Sequence, residues 1–417
     1  MRTAPPPLTA APMSRGQQLQ LLGALYVAQG LPFGFFTVAL PVLMRDAGWS
    51  LTAISFLQFL ALPWALKFLW APVLDHHGSR RTWLRVFQSG ACVLAIILSL
   101  MDLSTAAWAL FAAVLLFNLM AASQDVVTDG LAVRMVAVQE RGLANGLQIG
   151  GFRVGMILGG GALLWLFART DWSTMFLAMA AMLALLAALA WNPPEPPPAR
   201  NTPPATGLRL GWAWWHRLRS PGMLTMAALI VVYRLGDQLL GSLTGPFLRD
   251  IGVDKASIAM LRGVIGSGAS LAGALLGGWL AFQLGRRAAL LIGGLAQAAG
   301  LGLYIAAALS WGGMPALWAA TALEGFFGTM ATVALYTLMM DATDPDHAGT
   351  DFTILACMTS VASGLANLLG GVMGDAWGYA PTFTIATLLA AAGTLVVIHW
   401  LDTRPPHPRM MQAWRRA

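Results

Sequence analysis

Several ionisable side chains of this sequence interrupt runs that are otherwise apolar. An ionised group at the centre of a lone membrane helix costs ~3 kcal/mol on insertion scales, so such groups usually face a cavity or a partner. Arg234 and Asp237 stand three residues apart, on one face of a helix, with Tyr233 and Gln238 beside them. They can anchor an anionic substrate and offer a protonatable partner, or form a self-neutralised structural pair. Glu324 has no opposite charge within a helical turn. A carboxylate in low dielectric without a counter-charge takes up a proton readily, which is what proton coupling requires. The alternative is a permanently neutral acid bonded to a neighbouring helix. Arg153 lies among glycines, in GGFRVGMILGGG. Its guanidinium keeps its proton and needs an anion or a carbonyl, from a substrate or from another helix.

A second group gathers toward one end of the same runs. Asn118, Asp125 and Asp129 fall near one helical stripe, and Lys67 lies at a similar depth. They read as a cytoplasmic gate, or as a snorkelling lysine with ordinary helix-end solvation. Tyr26, Gln29, Phe33, Phe36 and Thr37 recur at helical spacing, which suits a cavity wall or plain packing. Asp75 follows an apolar stretch and precedes Arg80, Arg81 and Arg85. Gly277, Gly278, Gly285, Arg286 and Arg287 form a shorter echo of that turn, some two hundred residues later.

The elements that carry these groups are membrane helices. The chain has 417 residues, 57% hydrophobic and 10% charged. Soluble domains run at roughly 25% charged, so a soluble globular protein is excluded. Crossing a hydrocarbon core of ~30 Å takes ~20 helical residues. Twelve spans are predicted, at 19–43, 51–74, 84–101, 106–128, 143–167, 172–190, 223–247, 256–280, 288–309, 315–339, 352–374 and 380–401. The first is too long for a signal peptide and is expected to remain as a span.

Of the 25 Lys and Arg residues, Lys67, Arg153, Arg234 and Arg262 fall within spans. Arg45, Arg169, Arg249 and Lys255 lie on one side, and all the others on the opposite side. The positive-inside bias then places both chain ends in the cytoplasm. The loop 340–351 departs from that pattern, with four aspartates and no Lys or Arg. Acidic residues weigh little in topology, so the assignment stands. Residues 192–221 read as a linker between an N-terminal bundle, 1–191, and a C-terminal bundle, 222–417. Its prolines, from Pro193 to Pro204, favour an extended strap. The stretch LRLGWAWWHRLR, 208–219, suits a short helix lying in the membrane interface. Six spans, a linker and six spans, with a matching turn in each half, predict a two-bundle secondary transporter with its substrate site between the halves.

Other chemistries are disfavoured. The net charge of +7 sits in short loops and forms no basic face for nucleic acid. No lysine stands in a GxxxxGK[ST] phosphate loop, so an ATP-driven pump within this chain is excluded. His76, His77, His216, His347, His399 and His407 lie in loops, tails or near a span end. No cluster has metal-ligand spacing, and neither a metal nor a cofactor is expected. Cys92 and Cys357 lie in apolar runs and no disulfide is expected.

Specific stretches now carry a resemblance: YVAQGLPFG (26–34), LPWALKFLWAPVLD (62–75), GSRRTWL (78–84), ASQDVVTDGLAVRMVAVQERGLANG (122–146), GFRVGM (151–156) and HAGTDFTILACMTSVASG (347–364). The chain resembles permeases of the major facilitator superfamily, in the AmpG-like group that includes muropeptide permeases and the short RhtX/FptX-type siderophore permeases. The resemblance implies that Asp75, Arg80 and Arg81 lock the halves in one state. In the echo, Gln283 and Leu284 stand where an acidic residue often occurs, so a second lock is not implied. The glycine run 155–161 lacks the proline of drug antiporters. Longer AmpG-type proteins carry two further spans, which tilts the resemblance toward the shorter branch.

The resulting expectation is an all-α protein of the bacterial inner membrane: a monomeric, proton-coupled importer of an amphiphilic solute such as a siderophore or muropeptide, working by alternating access. Gln29, Phe33, Arg153, Tyr233, Arg234 and Gln238 are expected at the substrate, and Asp237 and Glu324 at the proton. Lys67, Asp75, Arg80, Arg81, Asp125 and Asp129 are expected to gate. A transport-inactive sensor, a membrane enzyme or a drug-type exporter of the same fold are the alternatives.

Overall fold

A computed structural model describes residues 13–49, 56–101, 107–194, 212–254, 257–258, 260–404 and Trp414. Most of the proline strap, Lys255 and most of both chain ends lie outside the described residues. Among the described residues, eleven helices are long and apolar enough to cross a membrane. They are α1 (Arg15–Asp46), α2 (Arg80–Ser99), α3 (Ala107–Met135), α4 (Val138–Phe167), α5 (Trp172–Leu189) and α6 (Met223–Asp250). There follow α7 (Met260–Gln283), α8 (Gly285–Ala308), α9 (Gly313–Ala342), α10 (Pro345–Trp377) and α11 (Tyr379–Thr403).

The expected second span, 51–74, needs correction. Its described part is not one helix but the short pieces Phe56–Ala61, Leu62–Leu66, Lys67–Leu69 and Ala71–His76. Pro63 and Pro72 explain the breaks. Each sits in the first turn of a new helical piece, where a missing N–H costs nothing. Inside a continuous helix each would delete a hydrogen bond and clash with the preceding turn. The interruption leaves Lys67 in a tight turn midway along the segment. Elsewhere the helices start as their sequences suggest. Ser79 caps α2 by accepting from the Thr82 N–H, and Asp171 caps α5 by accepting from Thr174.

Helix packing repeats between the two parts of the chain. The pairing of α1 with α4 is answered by α6 with α10, and that of α2 with α5 by α8 with α11. The contact of segment 56–76 with α3 is answered by α7 with α9. Across the junction α4 packs on α7, and α3 on α10. Glycines set the closest of these approaches. A Cβ on Gly155 of α4 would meet the Val27 carbonyl oxygen of α1 at 2.3 Å. One on Gly146 would meet the Ala274 carbonyl oxygen of α7 at 2.8 Å.

Each part has its own apolar core, one around Phe35, Phe176 and Leu98, the other around Phe247, Phe383 and Leu301. A third core crosses the junction, joining Ala132, Val133 and Val136 to Met339, Met340 and Ala348. The outer helix faces stay apolar: Leu100, Val264 and Leu368 are all more than 60% exposed. In water such a surface would aggregate, whereas in lipid it is the required one.

Candidate functional site

A cavity of about 380 Å³ lies between the two parts. One wall comes from α1, α3, α4 and segment 56–76, the other from α9 and α10. The first wall holds the charge: Lys67, Asp125, Asp129 and Arg153. The second offers neutral groups, the hydroxyls of Thr332, Tyr336, Thr359 and Ser360 beside Ala356 and Cys357.

The charged wall follows from the local structure just described. The turn at Lys67 aims its Nζ at Asp125 on α3, to which it donates a hydrogen bond. Asp129 stands one turn further along α3. Its Oδ1 accepts from the Tyr26 hydroxyl at 2.9 Å and from Gln148 Nε2 at 2.8 Å. Both aspartates are buried, and a buried charge is tolerated only when paired and hydrogen-bonded. Arg153 differs: its guanidinium has no hydrogen bond or ion pair among the described residues. Phe33, Trp64 and Phe152 surround this end of the cavity, with ring centroids 5.3 to 5.7 Å apart. Trp64 also donates to Asn118 at 3.0 Å, and the Lys67 ammonium lies 5.5 Å from its ring. The site thus combines an unpaired cation, aromatic faces and hydroxyls, the groups that hold an amphiphilic anion.

Most of the other residues picked out by sequence lie elsewhere. Gln29 is 1% exposed and donates to Thr128 at 3.0 Å, away from the cavity. Tyr233 is buried and donates to the Leu290 carbonyl. Arg234 and Asp237 pair at 2.9 Å, and Arg234 also bonds Gln238 and the cavity-lining Thr332. Gln238 donates to Ser363. Glu324 accepts from Tyr304 at 2.8 Å, between α8 and α9. Lys67, Asp125 and Asp129 sit on the cavity wall itself.

The cavity is closed at the end that carries the basic loops. Asp75 accepts from Arg80 at 2.6 Å and lies 3.7 Å from Arg134. Its other oxygen accepts from the backbone and hydroxyl of Thr350, across the junction, at 3.1 and 3.2 Å. Arg81 turns away and donates to the Pro193 carbonyl of the linker. The echo of this turn is also engaged. Arg286 pairs with Asp341 at 2.8 Å, and Asp341 pairs with Arg141 of the first part at 2.9 Å. Sequence reading passed over Asp341 because its partners are remote in the chain. The signal was the loop of four aspartates. His76 and His347 meet across the junction with ring nitrogens 3.0 Å apart.

Two helical groups packed in repeated fashion around a central cavity, sealed at one end by ion pairs, define a secondary transporter. The profile of the Major Facilitator Superfamily matches the chain twice, over residues 22–235 and 226–414, and the protein belongs to this superfamily. It is a multi-pass membrane transporter. The anhydromuropeptide permease of Escherichia coli K12 is 28% identical over 385 residues, 91% of this chain and 78% of the relative. An uncharacterised protein of Haemophilus influenzae is 28% identical over 390 residues, 88% of this chain and 90% of the relative. The putative transporter AmpG 4 of Rickettsia felis is 22% identical over 398 residues, 91% and 95% of the two chains. Among solved structures, the proton:xylose symporter XylE superposes with a TM-score of 0.70 at 13% identity, over 96% of this chain and all of that one. The transporter FucP in its outward conformation superposes with a TM-score of 0.71 at 15% identity, over 93% and 98%. These two likenesses are of fold alone.

Proposed function

We propose that the protein imports an amphiphilic anion of the muropeptide class, coupled to protons, by alternating access. The observation that carries this reading is the unpaired Arg153 guanidinium, held beside the Phe33, Trp64 and Phe152 rings in the cavity between the halves. A muropeptide joins sugar rings to carboxylates, so the rings meet aromatic faces and a carboxylate meets Arg153. The relative named an anhydromuropeptide permease supports this class over a siderophore. Residues 1–191 and 222–417 rock as two bodies in a monomer. Asp75, Arg80, Arg141, Arg286 and Asp341 hold the cytoplasmic end shut in the state described above. Arg234 acts behind the cavity wall, through Thr332.

The test is uptake by purified protein in sealed vesicles. A radiolabelled anhydromuropeptide should accumulate when the outside is made acidic, and a protonophore should abolish accumulation. Binding without flux would leave a sensor instead. Uptake of a ferric siderophore and not of the muropeptide would move the substrate class.

A further inference from the structure

The proton of such a transporter needs a carboxylate on the wall that substrate reaches. Asp237 and Glu324 do not line the cavity, and Asp237 is held in an ion pair by Arg234. Asp125 and Asp129 do line it. They stand four residues apart on α3, close enough to interact, and they share one lysine. Lys67 is hydrogen-bonded to Asp125, while Asp129 accepts from the neutral Tyr26 and Gln148 and lies within hydrogen-bonding reach of Asp125.

We propose that Asp129 is the proton-coupling carboxylate and that electroneutrality of the cavity is what couples proton to substrate. This inference rests on the import reading above. Among the described residues, the ionised side chains lining the cavity are Lys67 and Arg153 against Asp125 and Asp129, so the empty site is neutral when all four are charged. An anion that pairs with Arg153 adds one negative charge to a water-poor space. A proton from the outer water, bonding to a carboxylate oxygen of Asp129, restores neutrality. Neither the anion nor the proton is favoured alone, so they enter together. On release into the cytoplasm the O–H bond breaks and the proton leaves with the substrate.

The groups that share the cavity wall with Asp129 fit this role. Tyr26 comes from α1, Lys67 from segment 56–76, Gln148 and Arg153 from α4, Tyr336 from α9 and Cys357 from α10. Of these, the two cations are occupied, Lys67 by Asp125 and Arg153 by the incoming anion. Protonation also has a mechanical consequence. The bonds from Tyr26 and Gln148 tie α1 and α4 to α3 through one carboxylate oxygen. Neutralising that oxygen weakens both, because hydrogen bonds to a charged acceptor are roughly twice as strong as neutral ones. Loading the cavity therefore loosens the contact between helices that must shift.

The experiment uses reconstituted full-length protein, radiolabelled anhydromuropeptide and a potassium–valinomycin clamp at zero membrane potential. With an outside one pH unit more acidic, wild type should accumulate substrate about tenfold, the ratio one proton per solute supports. Asp129→Asn should reach no accumulation, yet should exchange labelled for unlabelled substrate at a rate independent of pH. Asp129→Glu, which restores a titratable group, should recover accumulation. Accumulation by Asp129→Asn equal to wild type overturns the proposal. So does loss of accumulation in Glu324→Gln or Asp237→Asn together with its retention in Asp129→Asn. If Asp129→Asn exchanges nothing and Asp129→Glu recovers neither activity, the residue is structural and the proposal also falls. Wild type that takes up no muropeptide at all, or takes it up without regard to pH, instead removes the import reading underneath.

Discussion

Arg217 clasps Asp351 with two hydrogen bonds, Nε at 2.8 Å and Nη2 at 2.6 Å. Arg217 belongs to a short helix of the linker, Ala213–Leu218, and Asp351 to the first turns of α10. The same short helix presses Trp214 against Phe68 of segment 56–76, with ring centroids 5.0 Å apart. A single turn and a half of linker therefore touches both parts of the molecule at its sealed end. Asp351 is 0% exposed, and without Arg217 it keeps the Asp344 backbone N–H at 3.1 Å. Breaking a buried ion pair by removing one partner costs about 3–5 kcal/mol. Arg217→Ala should fall at the low end of that range, because its own side chain is partly exposed. Asp351→Asn added to it should recover most of the loss. Thermal unfolding in detergent reads both changes, and a double variant no more stable than Arg217→Ala would count against the pairing.

Asp341 divides its two oxygens between Arg141 and Arg286, one from each part of the chain. The two arginines are not equivalent in effect. Removing Arg141 deletes bonds across the junction while Asp341 keeps Arg286. Arg141→Ala should therefore spare the fold and shift the equilibrium toward the state open at this end. The shift expected is about 1–2 kcal/mol, five- to thirtyfold in population. Asp341→Asn leaves two guanidiniums facing each other without a counter-ion and should cost roughly 3–5 kcal/mol in stability. Distances between spin labels on α2 and α8 at this end report the first effect, and unfolding midpoints the second. Equal stability losses in the two variants would contradict the arrangement.

The sequence made the outline legible and the pairings less so. Length and apolarity located the long helices, and the buried charges Lys67, Asp125, Asp129 and Arg153 stood out against apolar runs. What could not be read was the break in the second span. Lys67 stood at a similar depth to Asp125 and Asp129, but only the tight turn between Pro63 and Pro72 shows it on the cavity wall, hydrogen-bonded to Asp125. The four aspartates of 340–351 looked anomalous for a cytoplasmic loop. Three of them meet arginines of the other part or of the linker: Asp341 meets Arg141, and Asp344 and Asp351 meet Arg217. Those partners are separated by more than a hundred residues, and periodicity carries no information at that range. Glu324 appeared isolated because its partner, Tyr304, lies on the neighbouring helix.

The pair of Lys67 and Asp125 separates stability from transport. Both side chains are buried, at 7% and 10% exposure. Lys67→Met leaves two aspartates on one face of α3 without a cation. Repulsion and desolvation should then destabilise the protein by about 3 kcal/mol or more. Adding Asp125→Asn removes the orphaned charge and should restore most of the stability, since a buried pair replaced as a unit is often nearly neutral. Uptake should stay low in the double variant although its cavity remains neutral, because Arg153 is then the one cation among the described wall residues and Asp129 competes with the substrate anion for it. Unfolding in detergent and vesicle uptake, measured on the same preparations, distinguish the two. A double variant that regains uptake would reduce the pair to a structural bridge.

Arg153 should behave in the opposite sense. Its guanidinium has no hydrogen bond or ion pair among the described residues, so Arg153→Ala breaks no bond of the protein. Stability should be nearly unchanged. Affinity for a carboxylate ligand should fall, because a hydrogen bond to a charged group is worth about 1.5–3 kcal/mol, or ten- to 150-fold in Kd. Arg153→Lys should recover only part of this, since an ammonium supplies the charge without the planar fork. Calorimetric titration with an anhydromuropeptide and with the same molecule amidated at its carboxylates makes the comparison internal. The amidated ligand should bind more weakly to wild type and be nearly indifferent to Arg153→Ala. If both ligands lose affinity equally on substitution, Arg153 shapes the cavity and does not recognise the anion.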